Sequence, residues 1–291
     1  MKLAISNIAF GEDQRAALNR VSQSGVEGLV VAPTIIWPSL SEIANLSGQE
    51  LTDRLKTLER EAGEYRKKLG NFGLECVGLQ SLTYRIGENA KIFGTEEEGK
   101  NLIEHLKRLT NLAGSLGADS MAFGSPGLRN PGELSGEQAM ERAAELFGRV
   151  AIAAYDNNTQ IAIEPLSGYG NKFVENLNQA RELASRIDHP GFGIHPDTAA
   201  MFGAGDTPGD LASLVRDHRD SVRGIDASAP DLDQLSLAPE VSQRGYMDAL
   251  REANYNGWVS IEMRGPLNPE VLKEEIEIFK KQCGLAAEPI E

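Results

Sequence analysis

Four successive β-like runs in the second half of the chain each end on a carboxylate. Glu164 closes Gln160-Ile-Ala-Ile-Glu-Pro165, and Asp197 closes Gly193-Ile-His-Pro-Asp197. Asp226 closes Val222-Arg-Gly-Ile-Asp226, and Glu262 closes Trp258-Val-Ser-Ile-Glu262. Neighbouring members lie 33, 29 and 36 residues apart, roughly one strand-plus-helix unit each. If those units close into a parallel barrel, all four acids meet at its C-terminal mouth. Clustered carboxylates repel one another and resist desolvation, so a divalent cation is the natural way to hold them together. An all-oxygen set favours Mn²⁺ or Mg²⁺, with Ca²⁺ a further choice, over zinc-like ions. A single acid at a strand end often does no more than cap the next helix. For that to explain all four, the coincidence must repeat in every unit.

Such a site suits proton transfer next to a carbonyl. The cation would chelate the carbonyl and an adjacent hydroxyl oxygen, favouring an enediolate, while Glu164 and Glu262 remove and return the proton across the mouth. His195 shares a strand face with Asp197 and points the same way; it is a candidate for substrate contact or a replacement ligand, weighed against a hydrogen-bonded core histidine. Trp37 and Phe93, in long loops, could wall a sugar or simply pack beneath those loops. Arg129 and Arg264 follow the fourth and eighth runs and are the best phosphate candidates, although the acidic Pro230-Asp-Leu-Asp233 loop favours an unphosphorylated substrate. His105, His189 and His218 fall on helical or helix-end segments and read as solvated. Asp231 and Asp233 read as loop caps, and Glu96-Glu-Glu98 as the acidic first turn of a helix.

The elements that must carry these residues alternate. Strands are expected at Leu3–Ala9, Gly28–Ala32, Leu74–Ser81, Asp119–Gly124, Gln160–Pro165, Gly191–Asp197, Ser221–Ala227 and Trp258–Met263. Several are near-continuous apolar runs, such as Leu29-Val30-Val31-Ala32, as in parallel strands buried on both faces. In Asn101–Gly117, Leu102, Ile103, Leu106, Leu109, Leu112, Ala113 and Leu116 follow a helical rhythm that Gly117 stops. Eight β-then-α units without a linker make one α/β domain over residues 1–285, a closed (β/α)₈ TIM barrel, with 286–291 as a frayed tail. An open doubly wound sheet fits less well, because Asn7-Ile-Ala-Phe-Gly11 stands where a Gly-x-Gly-x-x-Gly turn belongs. Residues 33–50 and 82–96 read as loops rimming the mouth.

Composition narrows the function classes. In 291 residues, 41% are hydrophobic and 25% charged, and 29 Lys plus Arg face 43 Asp plus Glu for a net charge of −14. With no basic run, neither nucleic acid nor an anionic membrane is an expected partner; a small molecule is, and a homo-oligomer is open. The two cysteines, Cys76 and Cys283, lie far apart, and Met1-Lys-Leu-Ala-Ile-Ser lacks a signal pattern. A cytoplasmic protein is the expectation.

The chain resembles the sugar phosphate isomerase/epimerase family of xylose isomerase-like TIM barrels. The matching stretches are Lys2-Leu-Ala-Ile-Ser-Asn-Ile-Ala9, Ala32-Pro-Thr34 with Trp37-Pro38, Gly78-Leu-Gln-Ser81, Phe123-Gly-Ser-Pro126, Ile163-Glu-Pro-Leu166, Gly193 to Thr198, and Tyr255-Asn-Gly-Trp-Val-Ser-Ile-Glu262. The resemblance implies a divalent metal held from strands five to eight by Glu, Asp, His and Glu, with the two glutamates doubling as proton-transfer groups on a sugar or polyol. This chain departs from that pattern. Gly224-Ile-Asp226 stands where the resemblance implies His-x-His, which makes Asp226 the expected strand-seven ligand; Asp197-Thr-Ala-Ala200 lacks a terminal His; and Val30 replaces an acid on strand two. The leading expectation is a metal-dependent isomerase or epimerase; dehydration of a keto-polyol shares its first step. The alternative is a degenerate barrel that binds a ligand or partner without turnover. An apurinic endonuclease-like role is disfavoured by four His and the net charge of −14.

Overall fold

A computed structural model describes residues 1–285 apart from 12, 13, 87, 88, 169, 171, 239 and 240; the expected frayed tail lies outside the described residues. Among them, eight parallel strands form one curled sheet: β1 (Lys2–Ser6), β2 (Gly28–Val31), β3 (Glu75–Leu79), β4 (Ser120–Phe123), β5 (Ile161–Ile163), β6 (Phe192–Ile194), β7 (Gly224–Ser228) and β8 (Trp258–Glu262). The order is β6-β5-β4-β3-β2-β1-β8-β7. The two end strands meet at the mouth, where the Asp226 N–H donates to the Pro196 carbonyl at 2.8 Å beside an Asp197–Asp226 bridge. The fold is a TIM barrel.

Helices α1 (Gln14–Gln23), α2 (Pro33–Ile36), α3 (Gly48–Gly70), α4 (Glu96–Leu116), α5 (Gly136–Asp156), α6 (Leu177–Ile187), α7 (Thr198–Ala204), α8 (Pro208–Asp217), α9 (Gln243–Glu252) and α10 (Pro269–Gln282) surround the strands. Their apolar stripes supply most of the core. On α4 every apolar position that the spacing picks out is buried, and Thr110 is buried with them. Glu98 and Thr95 form its capping box, so the acidic Glu96–Glu98 turn has a structural role, and Gly117 ends it at φ +77°.

A small apolar plug of Ala4, Val30, Val77 and Trp258 fills the N-terminal half of the barrel interior. Gly28 has no room for a side chain, because a Cβ there would lie 2.8 Å from both Trp258 and Val77. Polar side chains are buried at this end as well, among them Gln160 before β5, whose Nε2 donates to the Phe192 carbonyl at 3.1 Å.

The observed strands are shorter than the apolar runs suggest. β1 ends at Ser6, not Ala9, because the Ser6 hydroxyl accepts the Ile8 N–H at 3.2 Å and turns the chain into a 3₁₀ segment, Asn7–Ala9. Residues 33–50, expected as loop, hold α2, a 3₁₀ segment Pro38–Asn45 and the start of α3. His105 is largely buried rather than solvated. Its Nε2 lies 2.7 Å from the Leu82 carbonyl, and burial lowers its pKa. Among the described residues, no helix is long and apolar enough to cross a membrane.

Candidate metal centre

Glu164, Asp197 and Glu262 each contribute a carboxylate oxygen to a cluster whose members all lie within 4.8 Å of one another. Each is delivered by a strand end. Glu164 follows β5 directly, its N–H donating to Phe123 at 3.2 Å, and Pro165 stops the ladder there. Gly124 makes room for it: a Cβ at 124 would fall 2.5 Å from Glu164 Oε2. Asp197 caps α7, accepting the Ala200 N–H on Oδ1 at 2.7 Å, while the Ser228 hydroxyl donates to its other oxygen. The capping role and the site role therefore coexist in one residue. Ser228 is in turn part of a buried network with Thr198 and Gln243 that ties α7, β7 and α9 together. Glu262 ends β8, and Gln80 Nε2 donates to its Oε1 at 2.6 Å.

These acids are strained electrostatically. Burial, followed by repulsion from Asp197 and Asp226, pushes the Glu164 carboxyl up to about 8. Burial raises Asp197 to about 6 despite the hydrogen bonds from Ser228 and Ala200. Glu262 is raised well above the carboxylate range, by burial first and then by Asp226, Glu164 and Asp197. Three desolvated carboxylates brought to one point, in an all-oxygen set, fit a divalent cation.

For Glu164 the folded value of about 8 lies above the ordinary 4.5, so the folded protein holds a proton that the unfolded chain releases between those limits. Without metal, stability is therefore expected to fall as pH rises from about 5 to about 8. Metal uptake at pH 7 should release at least one proton, since Glu164 and Glu262 are both raised. Calorimetry in two buffers of different ionisation enthalpy checks that release, and equal heats in both would contradict it.

Asp226 stands beside this cluster and outside its three members. Its Oδ2 lies 2.8 Å from His195 Nε2, while its Oδ1 is buried without a hydrogen-bond partner. Burial disfavours the charged form of His195, but the Asp226 carboxylate and its hydrogen bond outweigh this and leave its pKa raised. His195 does not face the open mouth; it is 3% exposed and packs over Gly224, where a Cβ would sit 3.1 Å from its Cε1. The ring from β6 thus occupies the space above the glycine that replaces the histidine implied for β7.

Two aromatic and two basic candidates lie elsewhere. Trp37 is buried edge-on against Tyr65 with centroids 5.6 Å apart, and Phe93 packs against Phe173 at 5.0 Å, so both rings serve packing. Arg129 is fully buried, not poised for phosphate. Its guanidinium donates to the Phe123 and Val174 carbonyls and lies 5.6 Å from the Phe123 ring centroid. Burial lowers its pKa to about 10, an effect the nearby Glu164 opposes. Arg129→Met, which strips the donors from both carbonyls, is expected to lower stability by about 3 kcal/mol. A shifted urea midpoint at constant slope checks this. Arg264 is exposed just beyond β8. A wide groove of about 660 Å³ lies away from the acids, on the outer flank between α4 and α5. Its charges pair among themselves, as in Lys100–Glu96 at 2.9 Å and Arg149–Glu145 at 2.6 Å.

Gln80, Gly124 and Ser228 were not among the expected site residues. A neutral amide, a glycine and a serine carry no charge pattern by which sequence alone singles them out.

Three solved structures share the fold across nearly the whole chain. The 3-keto-D-glucoside 4-epimerase YcjR from E. coli superposes with a TM-score of 0.73 at 17% identity, covering 97% of this chain and 99% of its own. A D-psicose 3-epimerase with D-tagatose, from Clostridium cellulolyticum H10, gives 0.73 at 14% identity, covering 99% and 100%. The IOLI protein with a bound zinc atom gives 0.71 at 15%, covering 98% of each chain. Among curated proteins, no sequence matches significantly. Residues 41–282 match the model of the xylose isomerase-like TIM barrel, and the chain belongs to that family.

Proposed function

We propose that this protein is a divalent-metal-dependent isomerase or epimerase acting on a neutral sugar or polyol by proton transfer next to a carbonyl. The observation that carries the reading is the convergence of Glu164, Asp197 and Glu262 within 4.8 Å at the mouth. Those three would hold the cation, with Asp226 Oδ1 available as a further donor. Once bound, the cation supplies Lewis-acid polarisation of a carbonyl oxygen. Glu164 and Glu262 exchange the proton at the neighbouring carbon, and their raised pKa values suit groups that must both accept and donate near neutral pH. Gln80 and Ser228 hold the orientations of Glu262 and Asp197. With Arg129 committed to backbone carbonyls, a neutral substrate is favoured over a phosphorylated one. Neighbours of the same fold that carry D-tagatose or D-allulose support the sugar class.

A panel of ketoses followed by NMR in deuterated water with Mn²⁺ tests the reading. Epimer formation with deuterium at the carbon beside the carbonyl supports it, and a protein that binds Mn²⁺ but exchanges no proton contradicts it. A second reading, a barrel that binds a ligand without turnover, draws on Ala200 and Gly224, which stand where the resemblance implies histidines.

A further inference from the structure

Gln80 is a buried side chain, 4% exposed, at the end of β3 and far in sequence from the acids. Its backbone is fixed, since the Gln80 N–H donates to the Val31 carbonyl at 3.0 Å. One end of its amide is also fixed, with Nε2 donating to Glu262 Oε1 at 2.6 Å. Ionised, as a metal ligand must be, Glu262 only accepts, and the end of the amide that faces it is then Nε2. The other end, Oε1, is buried with no hydrogen-bond partner. A buried carbonyl oxygen left unpaired is costly, and in native proteins it calls for an explanation.

Nearby, Asn7 repeats the arrangement at the end of β1. It is fully buried, and its Oδ1 accepts the Ala32 N–H at 2.7 Å. Its Nδ2 has no partner. At the strand ends that form the mouth, charged groups thus come from β5 to β8 and half-paired neutral amides from β1 and β3; Gln160 has the same unpaired amide oxygen, but at the opposite end, before β5.

We propose that Gln80 is a two-sided positioning residue: Nε2 fixes the Glu262 carboxylate, and Oε1 accepts a hydrogen bond from a substrate hydroxyl. This deepens the function proposed above and rests on it. An amide oxygen pairs with a donor. It therefore selects a hydroxyl at that position and rejects a phosphoryl or carboxylate group, whose oxygens only accept. The substrate class is narrowed to polyhydroxylated compounds bearing a free hydroxyl next to the carbon that Glu262 serves.

The test compares wild type with Gln80→Met, which keeps the volume and removes both hydrogen bonds; Gln80→Leu repeats it with a second apolar side chain. Mn²⁺ affinity is measured first by electron paramagnetic resonance. Ketohexoses and their monodeoxy analogues are then titrated into the Mn²⁺-loaded proteins. The expected result is Mn²⁺ affinity weaker by about 10-fold, because Nε2 orients a ligand, and, with Mn²⁺ saturating, ketohexose affinity weaker by a further factor of about 10. One deoxy analogue should lose about the same factor on wild type and nothing further on the variants. Wild type that takes up no Mn²⁺ overturns the metal reading, and this inference with it. Mn²⁺ uptake without any ketohexose binding overturns the sugar reading and this inference with it, whereas equal ketohexose affinity in all three proteins overturns this inference alone. So does loss of Mn²⁺ and sugar together in both variants, since Gln80 would then only hold the site in shape.

Discussion

Glu262→Gln is expected to lower ketose turnover by at least about 10³-fold, the range associated with losing a proton-transfer group. The substitution keeps the side-chain shape at the end of β8 and removes a carboxylate whose pKa burial and three neighbouring acids already raise. Its thermal stability should match or exceed that of the metal-free wild type, because a neutral amide relieves repulsion in the cluster. A folded variant with wild-type turnover would show that Glu262 is not the group that moves the proton.

Divalent metal should stabilise the folded protein strongly. A cation present at 100 times its dissociation constant adds about 2.7 kcal/mol if it binds only the native state. For a domain of this size that corresponds to a rise in Tm of about 5 °C or more. Asp197→Asn should abolish most of the shift. It removes a ligand while leaving an oxygen that can still accept the Ala200 N–H, so the cap on α7 survives. Differential scanning calorimetry with and without Mn²⁺ reads both effects, and an equal Mn²⁺ shift in wild type and Asp197→Asn would place the ion elsewhere.

Much of the site was legible before any coordinates. Strand–helix alternation places each strand-end residue at one face of a barrel, so the spacing of Glu164, Asp197 and Glu262 sufficed to bring them together. Sequence spacing is blind to how the interior is shared among neighbouring strands. Asp226 was expected to replace a ring on its own strand. Instead the ring comes from His195 on β6 and lies over Gly224, with Asp226 as its partner. Exposure was misjudged where long side chains turn inward. Arg129 follows a strand as a phosphate ligand would, but its guanidinium is drawn beneath the mouth by two carbonyls and an aromatic face. Trp37 was placed on the rim because residues 33–50 look like loop, whereas their short helices fold the ring against Tyr65. Gln80 stood within a stretch that carries the resemblance, but nothing marked it as a site residue, since its meaning lies in a contact with a residue 182 positions away.

Crystals soaked in Mn²⁺ and recorded at the manganese absorption edge test the central claim most directly. The account predicts one strong anomalous peak at the barrel mouth, about 2.0–2.6 Å from oxygens of Glu164, Asp197 and Glu262. A fully occupied peak elsewhere with none at the mouth, or these three carboxylates turned away from one another, would contradict it.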